Sequence, residues 1–207
     1  MSLHRRFLST LLLSAALPPR ALASVRMRVG EVSEVTGEAT AHFPDAAPRA
    51  LAPASVLLRQ DLITTGRAAR LVGRLEGGIE FRLGERASLR VDALTSHGPR
   101  AGTVLRIFDG PVLLDRHPGG GHGTAPPIIL NFPWGRIGVR GTRFFAGPLD
   151  GRHAVFVFRG LVAVESGGGA VLLREGEGAE IRGQGAPPGP VSRWTRARID
   201  RALALVA

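Results

Sequence analysis

Short runs of alternating apolar and polar side chains, broken every few residues by glycine, fill most of this chain. Gly78-Ile79-Glu80-Phe81-Arg82-Leu83 alternates with a period of two, and Ser88-Leu89-Arg90-Val91-Asp92 does so again. That period places successive side chains on opposite faces, so both read as half-buried strands with Ile79, Phe81, Leu83, Leu89 and Val91 inward. Leu75-Glu76-Gly77-Gly78-Ile79 reads as the hairpin turn before the first of them, since glycine supplies the positive φ angles that such turns need. Further strands are predicted at 104–107 and, after Asp109-Gly110, at 111–114. The run 155–158 is apolar on both faces and predicts a central strand, and 161–164, 171–173 and 179–181 form a late ribbon. Gly30-Glu31-Val32, Gly110-Pro111-Val112 and Gly160-Leu161-Val162 each open a short strand at a glycine corner. The expected fold is all-β, a solenoid-like or rolled domain of short glycine-punctuated strands with one short helix at the C-terminal end.

Three segments lack this alternation. Residues 44–53 are rich in Ala and Pro, 117–127 hold four glycines and three prolines, and 184–190 read as a Gly/Pro linker. Past the linker, Ser192 is placed to cap a helix over 193–206. Ile199, Ala202, Leu203 and Val206 then share one face, with Arg193, Arg196, Arg198 and Arg201 on the others. Four arginines and Trp194 would suit an anionic membrane face. The favoured expectation is that the apolar stripe caps an open end of the β domain.

The first 23 residues have the layout of an export signal: Arg5 and Arg6, an uncharged apolar stretch over 7–17, then Ala21-Leu22-Ala23 before Ser24. That stretch is shorter than the roughly 20 residues a spanning helix needs, and Pro18 and Pro19 would break a helix of the domain proper. The expected organisation is therefore a cleaved signal at 1–23, a β domain at 24–183, and a linker with amphipathic helix at 184–207. A periplasmic location follows, by either the general or the twin-arginine route, with no transmembrane segment after cleavage.

Charge narrows the partners. The formal net charge is +10, and all 27 basic residues are arginine. Net positive charge favours weak, salt-sensitive association with anionic membrane surfaces or acidic polymers. No basic stripe interleaved with stacking aromatics appears, so nucleic acid is not an expected partner. With no Cys there is no disulfide, thiolate ligand or thiol nucleophile.

One stretch is more specific. Ile137-Gly138-Val139-Arg140-Gly141-Thr142 follows a Pro133-Trp134-Gly135 turn, and its two glycines bracket a Val and an Arg, which predicts a sharp bend or bulge. Upstream stands Asp61-Leu62-Ile63-Thr64-Thr65-Gly66, then a Gly-rich hairpin over 71–83; downstream comes Gly160-Leu161-Val162-Ala163-Val164. These four blocks, in this order between about Val29 and Ile181, resemble the FecR-type periplasmic domain. The resemblance implies a β-rich, solenoid-like or rolled domain and a non-enzymatic binding or signal-relay role in the envelope. Signalling members of that family join a cytosolic sigma-factor regulator and one membrane helix to this domain, and the expectation here is a stand-alone domain. The alternative role is a scaffold binding polysaccharide, peptidoglycan or outer-membrane components.

The family motif Gly138, Val139, Arg140, Gly141 and Thr142 is expected to be architectural. Arg140 would lock the bend against a carboxylate or backbone carbonyls, with Asp61 and Asp109 both candidate partners. The rival role is a bidentate grip on an anionic ligand, and flanking glycines suit the close backbone approach that either needs. Arg140→Ala is accordingly expected to disturb folding more than one specific contact. His117 and His122 could hold a divalent metal, but no third ligand lies near, and a solvated loop is the expectation. No Gly-x-Ser-x-Gly elbow, His-Glu-x-x-His helix or Gly-x-x-x-x-Gly-Lys loop occurs, Ser166 reads as a turn serine, and Glu175, Glu177 and Glu180 read as a solvated strand edge. No catalytic, cofactor or metal residue is assigned.

Overall fold

The computed structural model describes residues 26–95, 98, 101–116 and 126–207, apart from the side chain of Arg140. The proposed signal and the His117/His122 loop lie outside the described residues.

The strands are β1 (Arg28–Thr36), β2 (Ala39–His42), β3 (Arg49–Ala50), β4 (Val56–Leu58), β5 (Leu62–Thr65), β6 (Arg70–Leu75), β7 (Ile79–Leu83) and β8 (Ser88–Thr95). There follow β9 (Gly102–Asp109), β10 (Val112–Arg116), β11 (Ile128–Phe132), β12 (Gly135–Leu149), β13 (Arg152–Ser166), β14 (Gly169–Arg174), β15 (Glu177–Ile181) and β16 (Ser192–Arg193). The one helix, α1 (Arg196–Ala204), comes last.

All of these strands belong to one sheet, and its organiser is the long β12–β13 pair. Two branches leave the same edge of β12. One runs through β11, β9, β8, β5 and β2 to β3; the other runs through β10, β7, β6 and β1 to β4. The branch ends are neighbours in sequence, so the sheet rolls back towards itself. The link between them is bonded to both branches: Leu51 N donates to Ala39 O at 2.9 Å, and Ala54 N donates to Val32 O at 2.9 Å. Every pairing except β9 with β11 is antiparallel, which is a roll and not a solenoid.

Alternation builds the core as expected. Ile79, Phe81, Leu83, Leu89 and Val91 all lie inside, packed with Phe144, Leu114 and Leu105 in one continuous cluster. Gly73 lies directly under Phe81: a Cβ there would stand 2.3 Å from the ring, so only glycine leaves the space.

Three expectations need correction. First, 155–158 and 161–164 are one strand, β13, and β12 and β13 form a hairpin closed by Asp150-Gly151 at φ 53° and 77°. Asp-Gly is a favoured two-residue hairpin loop because both positions take positive φ. Second, neither the Ala/Pro-rich stretch nor the Gly/Pro linker is wholly free. Arg49 and Ala50 within 44–53 pair with β2, while in 184–190 Gly189 N donates to Glu180 O at 2.8 Å and Pro188 bridges Ile181. Third, Ser192 does not cap the helix, because Ser192 and Arg193 pair with β15. The helix starts after Thr195, and it caps no open end. It covers the outer face of β10, β12 and β13, where Trp194, Ala202 and Val206 bury Leu113, Phe145, Leu149, Ala154 and Phe156 in a second cluster.

Candidate functional site

The glycine-bracketed stretch lies where the sheet changes partners. β12 keeps β13 along one edge throughout. Its other edge passes from β11, whose Ile128 faces Val139, to β10, whose Asp115 faces Arg143. Between these, Gly141 and Thr142 together oppose Gly160 alone, which is a β-bulge. A bulge shifts strand alternation by one residue. Val139 therefore points inward before it, and Thr142, Phe144 and Ala146 point inward after it, all three fully buried. Phe145 on the opposite face is left for the helix.

The glycines divide the work. Gly141 has φ 56°, a left-handed conformation natural to glycine. An added Cβ at Gly138 or Gly141 would meet nothing within 4 Å, so the close approach expected beside Arg140 is not there. It occurs across the pair instead. Gly160 has φ 92°, and a Cβ there would stand 2.5 Å from Thr142 Cγ2 and 2.9 Å from Gly141 O. Thr142 Oγ1 is buried without a hydrogen-bond partner among the described residues. Thr142→Val keeps the shape and removes the orphaned hydroxyl, so a urea melt should show unchanged stability or a gain of up to about 1 kcal/mol. A loss beyond 1 kcal/mol would mean that the hydroxyl has a native partner.

Both carboxylates considered for Arg140 have other occupations. Asp61 is almost fully buried, with Arg26 Nη1 donating to Oδ1 at 2.5 Å and Arg49 Nη2 donating to Oδ2. It thereby ties β3 and the segment before β1 to the start of β5. Asp109 Oδ1 accepts from Gly110 N at 2.7 Å. Thr65, also in the upstream block, donates through Oγ1 to Gly84 O at 2.6 Å and accepts from Ala87 N at 2.9 Å, fixing the turn before β8. Ser166 is likewise structural: its hydroxyl lies between the carbonyls of Trp134 and Ala186.

This arrangement of blocks matches a known family model. The model described as FecR protein matches residues 61–163, from Asp61 into β13. The chain carries a FecR domain. No curated protein matches the chain. Among solved structures, two crystal structures of a candidate anti-sigma factor from Parabacteroides distasonis ATCC 8503 are similar, at 1.65 and 2.50 Å resolution. Each has a TM-score of 0.54 at 14% identity, covering 67% of this chain. The chain spans 62% of the length of those structures, and at that identity the likeness concerns the fold. The matched span stops short of β1 and β4, whose pairing with β6 and with each other completes the second branch. The FecR domain here is thus completed by strands outside the matched residues.

Val139 and Thr142 of the motif are buried, and the surface carries separate concave features. At one end of the roll, the turns after β9, β11 and β12 enclose a cavity of about 360 Å³ with Gln184. Its floor is an aromatic stack: Phe132 on Trp134 at 4.4 Å, and Trp134 against His153 at 5.3 Å. Exposed Phe108, Asp109 and Gln184 stand at its mouth. A few polar groups converging on an apolar floor are the usual composition of a ligand pocket. His153 Nδ1 is shut off from solvent without a hydrogen-bond partner among the described residues. Burial pushes the imidazole pKa down, with the nearby Asp109 charge opposing.

The folded state therefore binds the His153 proton less tightly than the unfolded chain does. Stability from this group is complete above the unfolded value of about 6.5 and is lost as the pH falls below it towards the folded pKa. Melting curves between about pH 7 and 5 should show this loss, and His153→Gln should flatten it. An unchanged slope in the variant would assign the pH dependence to other groups. Among the described residues no three His, Cys, Asp or Glu side chains are grouped to hold a metal ion.

Proposed function

We propose that this protein is a non-enzymatic, periplasmic module of the cell envelope that binds a partner there and takes part in signal relay. The FecR domain supports this reading, and the observation that carries it is the use made of the family motif. Val139 and Thr142 are buried in the roll, and Asp61 and Thr65 are occupied in ion pairs and hydrogen bonds within it, which supports reading the shared feature as a scaffold. The likeness to a candidate anti-sigma factor agrees with a regulatory role. Among the described residues no helix is long and apolar enough to cross a membrane.

A second reading, an envelope scaffold that binds polysaccharide, peptidoglycan or outer-membrane components, is favoured by one observation. The end cavity sets exposed Phe108, Asp109 and Gln184 around an aromatic floor, which suits a ring with polar substituents.

In-cell crosslinking of the tagged protein, followed by osmotic-shock fractionation and mass spectrometry, separates the two. Recovery in the periplasmic fraction joined to an outer-membrane receptor or an inner-membrane regulator is the expected result. Recovery with cell-wall or polymer machinery would move the protein to the scaffold role. Retention in the cytoplasmic fraction would contradict both.

A further inference from the structure

We propose that the cavity between β15, the Pro187–Pro190 segment and α1 is a binding site for an oxyanion, the phosphate or carboxylate head of a ligand. The cavity has a volume of about 480 Å³. Three guanidinium groups from separate parts of the chain converge on it: Arg152 from β13, Arg182 from beyond β15, and Arg198 from α1. Glu180 is the single carboxylate in its wall.

Donors outnumber acceptors here. Each guanidinium offers five N–H groups, and Glu180 offers two oxygens. One oxygen takes Arg198 Nη2 at 2.5 Å and the other takes Arg152 Nη1 at 3.0 Å. Arg182 is exposed and makes no ion pair among the described residues, and Arg198 Nε is buried without an acceptor. With the two pairs to Glu180 counted, the wall keeps an excess of positive charge that an incoming oxyanion can take up bidentately.

The wall is also held in place, which lowers the entropic cost of binding. Arg198 lies over the Trp194 ring at 4.1 Å, and Trp194 stacks on Phe156 at 4.8 Å. The proline lip is fixed by the Pro188 bridge to Ile181 and the Gly189 bond to Glu180. A ligand oxyanion arriving beside Arg182 competes with Glu180 for Arg152 and Arg198. This site is independent of the relay role proposed above.

Titration calorimetry of the purified full chain at low salt tests the site, with inorganic phosphate as one probe and phosphatidylglycerol vesicles, against phosphatidylcholine vesicles, as the other. Saturable binding of either probe, weakened at least tenfold by Arg182→Gln and unaffected by Arg136→Gln, is the expected result. Phosphate binding points to a free anion, and vesicle binding without phosphate binding points to a lipid headgroup. Arg182 is exposed and forms no ion pair among the described residues, so its variant should melt with the wild type. Glu180→Gln should tighten binding by removing the competitor. Equal weakening by Arg182→Gln and Arg136→Gln would reduce the effect to net charge and overturn the site, as would no binding of either probe or weaker binding by Glu180→Gln.

Discussion

Trp194→Ala should lower the unfolding free energy by about 3 kcal/mol, the range for truncating a large aromatic in a packed site. Trp194 is 8% exposed and lies just before the helix. It joins three elements: it stacks on Phe156 of β13, carries Arg198 of α1 over its ring, and lies over Gly178 of β15. The space at Gly178 is dedicated to it, since a Cβ there would come within 2.4 Å of the indole nitrogen. Losing the ring leaves a cavity over the outer face of the long hairpin and frees Arg198 from its seat. Denaturant unfolding would check this, with Phe145 and Leu113 accessible to a hydrophobic dye in the variant. A loss below 1 kcal/mol would mean that the helix is held by its other contacts and that the second cluster is dispensable.

Gly160→Ala should cost more than a left-handed glycine usually does. A residue with a side chain pays about 1–2 kcal/mol to hold a positive φ, and here the added methyl also runs into Thr142 and the Gly141 carbonyl. Those atoms belong to a bulge whose position sets which side chains of β12 face the core, so they cannot retreat without moving Phe144. The expected total is about 2–4 kcal/mol. Gly138→Ala supplies the contrast. Its added Cβ meets nothing and its φ is not positive, so its urea midpoint should stay with the wild type. Equal effects from the two substitutions would remove the distinction between the two sides of the bulge.

The inward faces of β7 and β8 were legible because alternation alone decides them. The glycine turn before β7 was legible for a similar reason, since Gly77 and Gly78 both take positive φ. Fold class followed from the alternation and its glycine corners, and family from the order of the four blocks. The course of the longest strands was hidden. Glycine within a strand and glycine ending one look alike in sequence, so Gly160, opposite the bulge, read as a break between two strands. Asp150-Gly151 carried the hairpin signal that would have joined β12 to β13. The helix start was misplaced because Ser192, a good capping residue, pairs with Gly178 instead. No local pattern foretold either cavity. Phe132 and Trp134 come from the end of β11 and the turn after it, and His153 from the start of β13. Arg152 and Arg182 meet across the β13–β15 pairing, and Arg198 joins them because the chain after β15 folds back over it. A Gly/Pro composition describes a linker equally well.

The proposed function requires the family motif to be a rigid junction of the sheet and not a recognition loop. Native-state amide hydrogen exchange across β12 tests this most directly. If Gly138–Thr142 is architecture, the protected amides from Ile137 to Ala146 exchange only through global unfolding, with the free energy found by denaturant melts. Exchange near the bulge through a local opening several kcal/mol cheaper, with Phe144 and Ala146 still protected, would make the motif a mobile segment and contradict the account.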